Sequence, residues 1–173
     1  MKAFIIIDMQ NDFITGALAN KDAEAVLPKI ADYMENELDF HDYVYATRDT
    51  HTENYFNTQE GRNLPIKHCV YQTKGWEYPA ILDDKISPFQ GEYIDKPTFG
   101  YIDWKEHLEA KYLDEIVLCG TCTDICVVSN VLILKALFPE TKVTVLKDLC
   151  AGLTPEKHEA ALDVMRSCQV NVI

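Results

Sequence analysis

The stretch Glu115-Ile-Val-Leu-Cys-Gly-Thr-Cys-Thr-Asp-Ile-Cys126 combines reactive residue types with a local structure that could activate them. Residues 116–119 form a short apolar run that reads as a buried strand. Gly120 breaks it, a small polar turn follows, and a long apolar helix begins near Ile125. Cys126 therefore falls in the first turn of a helix, where unpaired backbone N–H groups and the helix dipole favour negative charge. A thiol there is expected to have a depressed pKa and to be a nucleophile, with the same N–H groups holding an oxyanion. The competing reading is that Cys126 is a small buried residue, as most free cysteines are.

Two further residues belong with it. Residues 2–7 are a continuous apolar run that ends in Asp8, and residues 92–95 read as a short strand ending at Lys96-Pro97. Proline cannot continue a central strand, so Lys96 belongs at a carboxyl edge. Asp8, Lys96 and Cys126 thus each close a different strand, and the carboxyl ends of parallel strands share one edge of a sheet. An ammonium beside a thiol favours the thiolate, and a carboxylate can relay its proton. A second group is Asp49-Thr-His51, which holds two ligand types on one side of an extended segment. Glu53, Glu60 and His68 follow on the next loop. One more His and a Glu would complete a nitrogen/oxygen site for Zn²⁺, Fe²⁺ or Mn²⁺. From spacing alone, ordinary loop residues remain the competing reading.

The elements that must position these residues alternate. Strands are expected at 2–7, 43–47, 92–95, 115–119, 142–146 and 169–172. Helices are expected at 22–38 (core contacts Ala25, Ile30, Met34 and Leu38), 76–82, 103–111 with Asp103 as cap, 125–138, and after Thr154-Pro155. Alternation of this kind implies right-handed βαβ units, a largely parallel sheet and helices on both faces. The 125–138 helix is apolar nearly all round, so it is expected to be buried, in part against another subunit. Residues 52–75 lose all periodicity, which is unusual in a compact domain unless the segment is functional.

The 173 residues suffice for one domain, 1–173, without repeat or linker. A net charge of −12 argues against nucleic acid and anionic membranes as partners. Met1-Lys-Ala-Phe-Ile-Ile-Ile-Asp meets an acid too early for a signal peptide, and no stretch approaches a membrane span. Six cysteines without framework spacing suggest free thiols in a reducing cytoplasm. No GxGxxG or GxxxxGK[ST] occurs, which argues against nucleotide binding of those kinds.

Taken together, Asp8-Met-Gln-Asn-Asp-Phe13, Thr47-Arg-Asp-Thr-His51, Leu64-Pro-Ile-Lys-His-Cys69, Lys96-Pro-Thr-Phe-Gly100 and Gly120-Thr-Cys-Thr-Asp-Ile-Cys-Val127 resemble the nicotinamidase/isochorismatase-like cysteine hydrolases over nearly the whole chain. The resemblance implies a three-layer αβα, Rossmann-like hydrolase fold with a six-stranded parallel sheet and a triad of Asp8, Lys96 and Cys126. It implies a cis peptide between Thr121 and Cys122, and an oxyanion hole from the backbone N–H groups of Cys122 and Cys126. In the nicotinamidase branch it further implies a divalent metal, zinc first and iron or manganese next, on Asp49, His51 and His68. The fourth ligand varies in that branch; here Glu60 is best spaced and Glu53 second. The isochorismatase branch proper lacks the cysteine, so Cys126 argues against that activity. The expected reaction is hydrolysis of nicotinamide, or analogues such as pyrazinamide, to the acid and ammonia, in NAD salvage, by a cytoplasmic homo-oligomer. Phe13, Phe99 and Tyr101 are expected against the ring. The alternatives are a metal-free hydrolase of a carbamoyl or ureido amide and, from another class, a thiol redox protein using Cys122 and Cys126.

Overall fold

The computed structural model describes residues 1–173. The chain begins with β1 (Lys2–Ile7), in which Ala3 to Ile7 are wholly excluded from solvent, as a run without alternation requires. A short helix, α1 (Asn11–Ile14), leads to α2 (Lys21–Glu37) and β2 (Tyr43–Asp49). A 3₁₀ turn (Tyr55–Asn57), α3 (Gln59–Asn63) and α4 (Ala80–Ile86) precede β3 (Glu92–Lys96). Then come α5 (Trp104–Leu108), β4 (Glu115–Thr121), a π-helical turn (Thr123–Val127), α6 (Val128–Leu137), β5 (Lys142–Ala151), α7 (Pro155–Ser167) and β6 (Asn171–Val172).

The six strands form one all-parallel sheet in the order β3-β2-β1-β4-β5-β6. The chain moves outward from β1 in one direction and from β4 in the other. Right-handed crossovers then put α2 and α4 on one face and α5, α6 and α7 on the opposite face; α2 packs on α4, and α6 on α5 and α7. The direction reverses between β1 and β4, where open α/β sheets leave a crevice at the strands' carboxyl ends. Ile7 pairs with Gly120 there. Gly120 has φ 120°, and a Cβ on it would lie 2.2 Å from the Ile7 carbonyl oxygen, so only glycine fits.

Several boundaries differ from the sequence reading. The helix expected at 76–82 runs instead from Ala80 to Ile86, because Pro79 keeps Tyr78 out of the helical region. That leaves Trp76 and Tyr78 as buried residues of the preceding loop. Asn20 caps α2, accepting from the Asp22 and Ala23 N–H groups, so the buried stripe runs Ala23, Val26, Ile30, Ala31 and Met34, and Ala25 is exposed. Asp103 stands at the cap position of α5 without a side-chain cap bond, and that helix ends at Leu108. Thr154 caps α7 by accepting from Lys157 N–H, with Pro155 in the first turn. Helix α6 is not buried all round: Ile125 in the preceding turn, Val128, Leu132 and Ile133 form a half-buried apolar face. No helix is long and apolar enough to cross a membrane.

Candidate active site and metal centre

Asp8 follows β1, Lys96 ends β3, and Cys126 lies one turn beyond β4; all three are buried. β3 is two strands from β1, a gap the long Lys96 side chain spans. Its Nζ lies 2.6 Å from Asp8 Oδ2 and donates to the Thr98 carbonyl at 3.1 Å. The other Asp8 oxygen accepts from Thr47 Oγ1 at 2.7 Å. Asp8 itself has φ 49°, a left-handed conformation that an aspartate tolerates better than most residues. The Cys126 thiol lies close enough to feel both the Asp8 carboxylate and the Lys96 ammonium.

Charge in this buried group differs from the sequence expectation. Burial, and then the Asp8 carboxylate, push the Cys126 thiol well above its ordinary value, and Lys96 only partly opposes them. The resting residue is therefore a thiol, not a thiolate, because the helix-end effect is small against the cost of placing an anion beside another anion out of water. Burial also raises Asp8 above the usual carboxylate range, against the pull of Lys96. Burial works against the charge on Lys96, but Asp8, Cys126 and Asp49 together hold it protonated.

The peptide between Thr121 and Cys122 is cis. The Cys122 carbonyl accepts from Ile125 and Val127, the neighbours of Cys126, at 3.0 and 3.1 Å. Asn130, fully buried, ties this turn to the Lys96 loop: its Nδ2 donates to the carbonyls of Cys126 (2.8 Å) and Phe99 (3.1 Å).

Asp49, His51, Glu60 and His68 converge beside the triad, with one ligand atom from each lying within 4.8 Å of all the others. β2 delivers Asp49 and, through a bridge between His51 and Val70, both histidines. The loop at 52–75, aperiodic in sequence, is ordered by the 3₁₀ turn and by α3, which presents Glu60. Glu53 is instead strongly exposed and pairs with Lys67, so it is not part of the cluster. His51 Nε2 lies 2.9 Å from Asp49 Oδ2 and 3.5 Å from Glu60 Oε1, yet it makes no hydrogen bond although buried. His68 Nδ1 is bonded to the Ile66 carbonyl at 2.8 Å, which leaves Nε2 turned to the same carboxylates. Two imidazoles and two carboxylate oxygens around an orphaned buried nitrogen fit a divalent metal, and the N₂O₂ donor set suits zinc, iron or manganese. Burial opposes the charge on both partners; even so, Asp49 is held well below the carboxylate range by His51 and His68, and His51 is raised to about 9 by Asp49 and Glu60. The packed Tyr55 ring lies 4.8 Å from His51 and 5.2 Å from His68 and fixes both imidazoles.

A cavity of about 690 Å³ opens onto both groups. Cys126, Cys122 and Thr121 line one side, Asp49, Glu60 and His68 another, and Phe13, Phe99, Ile125 and Leu153 supply apolar walls. Tyr101, expected against the ring, does not line it. Asn130 accepts both the Tyr101 and the Trp104 N–H, and the Tyr101 hydroxyl bonds His107 Nε2 at 3.1 Å, which turns that side chain toward α5. All six cysteines are unpaired.

An isochorismatase domain model matches residues 2–173. The chain belongs to the isochorismatase family. Among curated members it is 30% identical to the nicotinamidase/pyrazinamidase of Mycobacterium tuberculosis, over 100% of this chain and 98% of that one. The pyrazinamidase/nicotinamidase of Streptococcus mutans superposes with a TM-score of 0.88 at 27% identity, covering 100% of both chains. The pyrazinamidase of Pyrococcus horikoshii, solved in complex with zinc, gives 0.81 at 28% identity, covering 99% of this chain and 98% of that one.

The reading of the sequence passed over Thr47, Gln10 and Asn130 as functional residues. Each is a neutral side chain whose role lies in what it faces across the fold, and only their places inside or beside the motifs signalled them.

Proposed function

We propose that this chain is a cysteine amidase that hydrolyses nicotinamide, and analogues such as pyrazinamide, to the carboxylic acid and ammonia in NAD salvage. The observation that carries it is the cavity shared by a buried Asp–Lys–Cys group and a metal-fitting Asp-His-Glu-His cluster. Nicotinamide offers one group to each: a carboxamide and a ring nitrogen. Asp49, His51, Glu60 and His68 would hold a divalent metal, zinc first, which would supply a Lewis acid for the pyridine nitrogen.

Asp8 takes the Cys126 proton as sulfur attacks the carboxamide carbon, so the reactive thiolate exists only when the substrate is in place. This suits a thiol that burial keeps neutral at rest. Lys96 keeps the buried site near charge balance while the proton moves. The backbone N–H groups of Cys122 and Cys126 hold the oxyanion. Asp8 returns the proton to the departing ammonia, leaving a thioester. Asp8 then takes a proton from water, which attacks the thioester and releases the acid and the Cys126 thiol. Phe13 and Phe99 pack the ring faces.

The metal cluster favours this over a metal-free carbamoyl hydrolase, whose relatives generally lack such a set. The aspartate and lysine beside Cys126 favour it over a redox protein using Cys122. We take residues 1–173 to act as one catalytic domain. We also place the protein in the cytoplasm, which suits its unpaired cysteines, as a homo-oligomer using the half-buried face of α6.

The test is ammonia release from nicotinamide by reduced protein, with bound metal quantified in the same sample. Release with about one metal per chain is the expected result. Metal without release would redirect the search to other amides, and neither would bring the metal-free hydrolase forward.

A further inference from the structure

The residues after β1 alternate in what they grip. Asp8 belongs to the triad. Gln10, fully buried, closes its amide on the backbone of Asp49 from both sides. Its Oε1 accepts the Asp49 N–H at 2.8 Å, and its Nε2 donates to the Asp49 carbonyl at 2.9 Å and to the Trp76 carbonyl at 2.9 Å. Only a carboxamide can satisfy a donor and an acceptor of one residue in this way. Asp12 does the corresponding job for the residue after His68: its Oδ2 accepts the Cys69 N–H at 2.8 Å, and its Oδ1 accepts the Ala17 N–H at 3.1 Å. Cys69 has φ 46°, a conformation a side-chain-bearing residue seldom adopts, and this bond secures it. Two glycines let the backbone close in on this carboxylate. A Cβ on Gly75 would lie 2.1 Å from Oδ2, and one on Gly16 would lie 2.4 Å from Oδ1.

We infer that Gln10 and Asp12 are positioning residues that fix the backbones of the ligands Asp49 and His68 to the segment carrying Asp8. They thereby set the distance between the metal and the nucleophile. This rests on the metal-assisted amidase reading. A ring nitrogen on the metal and a carboxamide carbon at Cys126 leave little tolerance, since a misplacement of about 1 Å can cost about a hundredfold in rate. Local stretches such as the α3 turn cannot set that distance, because they carry only metal ligands. The segment 8–12 touches both groups.

The experiment uses the full chain with Asp12→Asn and Gln10→Met. The first is isosteric and turns one acceptor into a donor facing an N–H; the second keeps length and removes every hydrogen bond. Zinc affinity is measured by competition with a chromogenic chelator, kcat and KM for nicotinamide at saturating zinc, and melting temperature on metal-free protein. The expected result is zinc affinity about 10- to 100-fold weaker and a reduced kcat at saturating zinc, in variants that keep a cooperative metal-free melting transition, lowered by the buried backbone groups left unpaired. A folded variant with wild-type zinc affinity and kcat would overturn the inference. So would a variant that only melts earlier, or failure of both to fold, since either assigns the side chains to stability alone. Wild-type protein that binds zinc without releasing ammonia would overturn the nicotinamide reading, while the zinc comparison would still decide on Gln10 and Asp12. Wild-type protein that binds no zinc would overturn both.

Discussion

The triad and the metal cluster face the same cavity but are satisfied in opposite ways. Asp8, Lys96 and Cys126 sit at or just beyond strand ends, and their charges answer one another: an ammonium 2.6 Å from a carboxylate, with a neutral thiol beside them. In the other group only Asp49 ends a strand. Its histidines and Glu60 come from the loop beyond, two carboxylates share two imidazoles, and a buried His51 nitrogen has no hydrogen-bond partner. Buried polar groups are seldom left so. Asp8 Oδ2 likewise makes no hydrogen bond, but it faces the Lys96 ammonium at 2.6 Å. The difference teaches that the triad balances its own charge, whereas the cluster gathers four donor atoms that suit a cation. Perturbing the triad should abolish chemistry without emptying the cluster, and perturbing the cluster should weaken binding while some chemistry survives.

Cys126→Ala makes the sharpest break. Turnover should fall by about 10⁴-fold or more, while zinc content stays that of wild type; loss of zinc as well would mean the two groups are not separable. His68→Ala should leave less than half the zinc bound after dialysis and raise KM for nicotinamide about a hundredfold, with residual ammonia release still detectable because the triad is intact.

The acidic limb of the rate profile sharpens the comparison next. Asp8 must be ionised to take the thiol proton, and burial raises its pKa above the ordinary 3.8 despite Lys96. As pH falls through that raised value Asp8 becomes protonated, so kcat/KM at saturating zinc should drop about tenfold per unit. A rate that stays flat down to about pH 4 would remove Asp8 as the base. Glu60→Gln should weaken zinc about tenfold and Glu53→Gln should not change it, as read by chelator competition. Equal effects would undo the assignment of the fourth ligand. The smallest contrast is in the walls: Phe13→Ala should raise KM about tenfold, while Tyr101→Phe, whose hydroxyl meets only His107, should leave KM within about twofold.

Much of this was legible in the sequence, for identifiable reasons. The unbroken apolar run ending at Asp8, the Lys96-Pro97 break and the Gly120 break each mark a strand end chemically, so the convergence of Asp8, Lys96 and Cys126 followed from one rule about parallel sheets. The Asp49-Thr-His51 pair was legible too, because the two-residue period of an extended chain puts both on one side. The choice of Glu60 over Glu53 was open. It turns on α3, five residues long, in a stretch with no periodic signal at all. Tyr101 was misplaced because its hydroxyl is held by His107 on α5 and its backbone N–H by Asn130, twenty-nine residues away. The helix at 76–82 was misplaced because the apolar pattern outweighed what Pro79 does to the residue before it.

The sequence by itself determined which strands form, where each ends and which reactive residue stands at each end, since these depend on local hydrophobic pattern and on the backbone limits of proline and glycine. Only the tertiary structure decided the charge states and the grips. Burial, a property of the assembled core, keeps the Cys126 thiol neutral against the local pull of its helix. The hold of Gln10 on Asp49 and of Asp12 on Cys69 joins residues 39 and 57 positions apart, and no local pattern records which distant backbone group a neutral amide or an acceptor-only carboxylate will face.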